Sequence, residues 1–124
     1  MRAVLDVNVI VSALLSWNGA PARILRAWVD GAFDLVMSER LLGELERALA
    51  YPRIRDRVDA DDATSVLDWL RRSAILSTDA SDLPMVRSRD PGDDYLIGLA
   101  ASAQAILVTR DHAQLELAGR IPVL

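Results

Sequence analysis

Strand-like and helix-like segments take turns along the whole chain, and that alternation restricts the fold more than any other feature. Residues 2–6 (Arg-Ala-Val-Leu-Asp) read as a short buried strand. A helix follows over about 9–17, with Val9, Ile10, Ala13 and Leu14 at helical spacing. Asn18 to Pro21 is a turn, Pro21 suits a first helical position, and the next helix runs to about Asp30 with Gly31 as its stop. Residues 33–37 form a second strand. Ser38 then caps a helix whose apolar face carries Leu41, Leu42, Leu45, Ala48 and Leu49. Tyr51-Pro52 ends it, and a charged stretch to Asp62 leads to an amphipathic helix with Val66, Leu67, Trp69 and Leu70 as apolar positions. A third strand is expected at 74–76, a long loop at 77–92, a helix at 93–104 and a strand at 106–109. A short helix around 112–117 and a strand at 121–123 close the chain. Such an order predicts the α/β class, a three-layer αβα sandwich around a mainly parallel central sheet. Right-handed crossovers set the carboxyl ends of its strands along one edge, where sheets of this kind bind ligands.

One core accounts for 124 residues, so a single domain over 1–124 is expected. The absence of cysteine removes disulfides, zinc–thiolate centres and thiol nucleophiles, and fits a cytoplasmic setting. The longest uncharged stretches, 7–22 and 95–109, fall short of the ~20 apolar residues of a membrane span, so no membrane is expected as a partner. Residues 2–22 superficially resemble a secretory leader. Asp6 and Asn8 interrupt the apolar run, however, and cleavage would delete the best strand. Net charge is −4, so nucleic acid must be contacted locally, through metal ions and particular arginines, rather than through a global positive field. All 14 basic residues are arginine, which excludes every mechanism that needs an active-site lysine.

Eighteen acids are present, and placement relative to the strand ends is what separates candidates from solvated surface. Asp6 ends the first strand, where an unpaired carboxylate would be costly; it is either the cap of the next helix or a metal ligand. Asp111 follows the strand at 106–109 and carries the same two readings. Asp93 opens the helix after Asp90-Pro91-Gly92 on the face of Leu96, Ile97 and Ala100, with Asp90 and Asp94 as rivals. Glu44 shares a stripe with Leu41, Leu45 and Ala48 and needs either a metal or an arginine, Arg40 or Arg47, as partner. Carboxylates converging in one crevice repel each other unless divalent cations intervene. An all-oxygen set of this kind suits Mg²⁺ or Mn²⁺ as cofactor. His112 is expected to be a partly exposed polar residue rather than a general base.

Four segments also resemble the motifs of the PIN-domain family. Val4-Leu5-Asp6-Val7-Asn8-Val9 resembles its opening Asp-Thr-Asn-Val signature, with Val7 where a hydroxyl residue is commoner. The segment 35–45 around Glu44 resembles the second motif, Arg89 to Leu96 the third, and Leu107-Val108-Thr109-Arg110-Asp111 the fourth. Each is weak alone; all four in order cover essentially the whole chain. The resemblance implies a PIN-like fold and a metal-dependent ribonuclease, often the VapC-type toxin of a toxin–antitoxin pair. It also implies catalytic and metal-binding roles for Asp6, Glu44, Asp93 and Asp111, and its spacing selects Asp93 over Asp94. Asn8, Thr109 and Ser38 would orient ligands or water, with Asp90 and Asp94 as flanking acids.

Response-regulator receivers and haloacid-dehalogenase-like phosphatases share the strand-end aspartate but rely on a lysine that is missing here. P-loop NTPases fail on the same ground and on the missing Gly-rich motif. A PIN-fold binding or regulatory module with little catalysis, or a housekeeping nuclease without an antitoxin, stay open as alternatives. Arg23, Arg87, Arg89 and Arg110 are the candidates for phosphate contacts with an RNA substrate. Trp17 and Trp28 are expected in the core; exposure of either would mark a partner surface, for a small antitoxin or for a second copy in a homodimer.

Overall fold

The computed structural model describes residues 1–78 and 94–109. Among the described residues, four strands and six helices follow in the order β1 (Arg2–Leu5), α1 (Val7–Leu15), α2 (Ala20–Val29), β2 (Asp34–Met37), α3 (Glu39–Leu49), α4 (Pro52–Arg55), α5 (Ala60–Ser73), β3 (Ile75–Leu76), α6 (Asp94–Ser102) and β4 (Ile106–Val108). The sheet order is β3-β2-β1-β4 and every pairing is parallel, which is the α/β arrangement expected from the alternation. Ala3-Val4-Leu5, Leu35-Val36-Met37 and Leu107-Val108 are buried as uninterrupted runs, the signature of strands covered on both faces. β1 lies between β2 and β4, with Leu5 opposite Val108. That register carries Asp6 and Thr109 to the same point on the carboxyl edge.

The helices form where the sequence offers caps and apolar stripes. Asp6 caps α1, so the helix begins at Val7, two residues earlier than its apolar spacing indicates. At its end Arg57 Nη2 donates to the Leu15 carbonyl at 2.7 Å, and in the turn beyond it Arg26 Nη1 donates to that of Trp17 at 2.8 Å. α3 buries Leu41, Leu42, Leu45 and Leu49, and packs against α1, α4 and α5. The stretch read as a charged connection contains α4, entered through Pro52, and α5 starts early because the Asp59 side chain accepts the Asp62 N–H at 2.8 Å. β3 is a two-residue edge strand, with Ile75 and Leu76 exposed. The expected segments at 79–92, 112–117 and 121–123 lie outside the described residues.

α6 corrects a detail of the sequence reading. It packs against β1 and β4 with residues 95–100 all buried, rather than presenting the single face of Leu96, Ile97 and Ala100. A helix apolar on every side belongs inside, so face alone does not discriminate among the acids at its start.

Two helices end in the same paired-bond motif. After α2, Ala32 N–H reaches the Ala27 carbonyl at 2.9 Å and Gly31 N–H that of Trp28 at 2.9 Å, with Gly31 at φ +86°. After α6, Ala105 N–H reaches Ala100 at 2.8 Å and Gln104 N–H reaches Ala101 at 3.2 Å, but Gln104, at φ 53°, occupies the left-handed position. A left-handed side-chain residue costs about 1–2 kcal/mol, and glycine's extra unfolded-state entropy offsets part of the gain from removing it. Gln104→Gly is therefore expected to stabilise the chain by roughly 0.5–1 kcal/mol. A higher midpoint in urea with an unchanged slope would show it; a lower midpoint would mean that the Gln104 side chain holds something glycine cannot.

The two tryptophans part company. Trp28 is buried as expected, 4.8 Å from Trp69 between ring centres. Trp17 is 73% exposed, contrary to the core placement expected for it, with the Arg26 guanidinium 4.9 Å from its ring. It borders an apolar groove of about 440 Å³ walled by α1, α2 and Trp69. Among the described residues no helix is long and apolar enough to cross a membrane.

Candidate active site

Each described strand is followed by a polar residue: Asp6, Ser38, Ser77 and Thr109. Asp6, Ser38 and Thr109 are the described polar or charged residues that the fold buries, and all three lie on the carboxyl edge of the sheet. Burial of polar groups is costly unless they are hydrogen-bonded, and these are. Thr109 Oγ1 donates to Asp6 Oδ2 at 2.9 Å, and the Asn8 backbone N–H donates to Asp6 Oδ1 at 3.4 Å. The Asp6 N–H in turn donates to the Val108 carbonyl at 3.0 Å, locking the β1 end to the β4 end. The cap reading of Asp6 is thus realised, and the same carboxylate is also tied to Thr109. Ser38 Oγ accepts the Leu41 N–H at 3.2 Å, which makes it the cap of α3. Asn8 is exposed, and the contact it makes to Asp6 is through its backbone.

Glu44 stands half-buried on α3, and the partner the structure gives it is not primarily an arginine. Tyr95 Oη donates to Glu44 Oε2 at 2.6 Å, whereas Arg40 Nε is 4.0 Å from Oε1 across a half-exposed ion pair. An exposed pair at that distance contributes little; a short hydrogen bond to a carboxylate from a buried hydroxyl contributes more. The Arg40 guanidinium also lies 4.2 Å from the centre of the Tyr95 ring. Burial first pushes the Tyr95 phenol up, well above its ordinary range, and the hydrogen bond to Glu44 and the negative charges of Glu44 and Asp6 push it further, against Arg40. The hydroxyl therefore stays protonated, and remains a donor, across the physiological range.

Tyr95 was not singled out from sequence. A signal for it existed: a tyrosine on a buried helix needs a partner for its hydroxyl, and it directly follows the Asp93-Asp94 pair. Asp90, Asp93, Asp111, His112, Arg87, Arg89 and Arg110 lie outside the described residues, as does the side chain of Asp94. Arg23 is exposed in the first turn of α2. Among the described residues no group of three or more acids or histidines could hold a metal ion. Two of the four expected acids, Asp6 and Glu44, are described, and both carry a charge contribution to Tyr95.

A parallel sheet that gathers its buried polar side chains, Asp6, Ser38 and Thr109, at its carboxyl edge defines an α/β domain with a polar edge site. The family model of the PIN domain matches residues 2–113, and the chain belongs to that family, whose members are in general nucleases. It is similar to the uncharacterized protein MJ1680 of Methanocaldococcus jannaschii, 24% identical over 118 residues that make up 94% of this chain and 75% of that protein. Its fold is similar to that of a chain in the crystal structure of VapBC2 from Rickettsia felis bound to a DNA fragment from their promoter. That likeness has a TM-score of 0.66 at 16% identity and covers all of this chain and 98% of the other. FitAcB from Neisseria gonorrhoeae gives a TM-score of 0.55 at 18% identity, covering 98% of this chain and 96% of that one.

Proposed function

We propose that this chain is a metal-dependent endoribonuclease that hydrolyses RNA phosphodiester bonds, and that it is the toxin of a type II toxin–antitoxin pair. The observation that carries the nuclease reading is the Asp6 carboxylate, buried at the carboxyl edge and held there by Thr109. A carboxylate kept in so dry a position suits a divalent cation. The donor set fits Mg²⁺ or Mn²⁺, since Asp6 and Glu44, with Asp93 and Asp111 as further ligands, offer oxygen alone. When bound, such an ion supplies an activated water and stabilises the leaving oxygen of the phosphodiester. The chain's own residues do the placing: Thr109 and the Asn8 N–H fix both oxygens of Asp6, and Tyr95 fixes one of Glu44. Arg23, Arg87, Arg89 and Arg110 contact phosphates, giving the RNA a local hold that a net charge of −4 does not provide.

The likeness to a chain of VapBC2 supports the toxin reading, and the exposed Trp17 beside an apolar groove supports a protein partner. The partner proposed is a small antitoxin, with a cytoplasmic setting and a homodimer as the working assembly. A short upstream reading frame encoding a DNA-binding motif, whose product co-purifies with this chain, is the expected finding; an isolated gene would favour a housekeeping nuclease.

The enzyme reading has a direct test. RNA cleavage by the purified chain should vanish in EDTA and return with Mg²⁺ or Mn²⁺, read on a fluorophore–quencher RNA. Cleavage indifferent to EDTA would remove metal from the chemistry, and no cleavage under any metal would favour a binding module.

A further inference from the structure

We propose that Tyr95 is a positioning residue: its hydroxyl fixes one carboxylate oxygen of Glu44, holding that acid ready as a cation ligand. The proposal rests on the reading of Glu44 as a metal ligand given above. The two residues come from α3 and α6, which the chain separates by 51 positions, and the hydrogen bond between them is 2.6 Å long. Tyr95 is 8% exposed and its ring is gripped in the core, so the hydroxyl occupies a fixed place. Glu44 has three side-chain torsions and is only half-buried, so without that bond it would sample several directions. Arg40 covers the ring from the solvent side, 4.2 Å from its centre, but at 4.0 Å from the second carboxylate oxygen it holds that oxygen only weakly, which leaves the hydroxyl as the main restraint on Glu44. The hydroxyl's single proton is committed to Glu44 by that bond, while its oxygen lone pairs stay available. Ligand-orienting hydrogen bonds of this kind typically govern metal affinity by 10–100-fold.

The test is a Mn²⁺ titration of the EDTA-stripped full chain, following free Mn²⁺ by electron paramagnetic resonance. Wild type, Tyr95→Phe, Glu44→Gln and the double variant are compared. Phenylalanine keeps the ring, its packing and the Arg40 contact, and removes only the donor. Tyr95→Phe is expected to weaken Mn²⁺ binding about tenfold, and the double variant to bind no more weakly than Glu44→Gln alone. Such non-additivity is what action through Glu44 requires; fully additive losses would reduce Tyr95 to a structural role and overturn the proposal. Wild-type affinity in Tyr95→Phe, with Glu44→Gln impaired, would overturn it while leaving Glu44 as a ligand. Wild-type affinity in Glu44→Gln, or no Mn²⁺ binding by wild type, would overturn both readings together.

Discussion

Asp6→Asn should lower metal-dependent RNA cleavage by on the order of a hundred- to a thousandfold, the scale seen when one group that stabilises transition-state charge is removed. The same variant should melt, in EDTA, at or above the temperature of the wild type. The two halves of that expectation have separate causes. Asparagine caps a helix as well as aspartate does, and its carbonyl oxygen can still accept from Thr109 Oγ1 or from the Asn8 N–H, the donors that hold Asp6 now. Asp6 is 7% exposed, so the substitution removes a charge from a place where charge is expensive. What it takes away is negative charge at the strand end, the property a divalent cation requires and folding does not. Higher stability with lost activity is the pattern of a group kept for chemistry. Full activity in Asp6→Asn would mean a contaminating nuclease or a misassigned site. Lost activity with a collapsed melting temperature would make Asp6 a structural cap alone.

The carboxyl edge was legible in the sequence because it depends on two strong signals. Apolar runs such as Val4-Leu5 and Leu107-Val108 name the strands, and alternation with helices makes them parallel. Strand ends then fall on one edge, which places Asp6 and Thr109 there; their 2.9 Å contact depends further on β4 lying beside β1, an order that alternation alone does not specify. Local chemistry that competes with periodicity was harder to read. α4 is a single turn started by Pro52 inside a charged stretch, and α5 begins where Asp59 caps it rather than where its apolar face begins. Trp17 fails the rule that tryptophans go inside because Arg26 supports it at the surface, through the Trp17 carbonyl and across the ring. Glu44 shows the same limit from the other side. Helical spacing placed it beside the buried stripe, and the arginine four residues earlier is indeed near. The closer partner, Tyr95, lies on another helix, and pairwise spacing along one helix carries no information about that.

Leu5→Ala is expected to destabilise the chain by about 3 kcal/mol, within the 2–5 kcal/mol range of such truncations in packed cores. Against a total stability of about 5–15 kcal/mol, that is a large fraction, and for a domain of this length it lowers the melting temperature by roughly 10 °C. Leu5 is fully buried on the central strand, and β2 and β4 bracket that strand by hydrogen bonds. Neighbours so fixed cannot collapse into the space left, so the cavity term is paid nearly in full. Ile75→Ala supplies the control. Ile75 belongs to a two-residue edge strand and is 41% exposed, so the same kind of truncation should cost about 1 kcal/mol or less. Equal losses at the two positions, measured by urea unfolding, would be incompatible with β1 at the centre of the sheet and β3 at its edge. Leu5 and Asp6 are also adjacent, which allows a sharper comparison. Below its melting temperature, Leu5→Ala should still cleave RNA, since the backbone bond from Asp6 N–H to the Val108 carbonyl and the Thr109 contact do not involve the leucine side chain. Asp6→Asn should fold and not cleave. If one residue governs stability without activity and its neighbour activity without stability, the strand builds the edge and the residue just past its end does the chemistry.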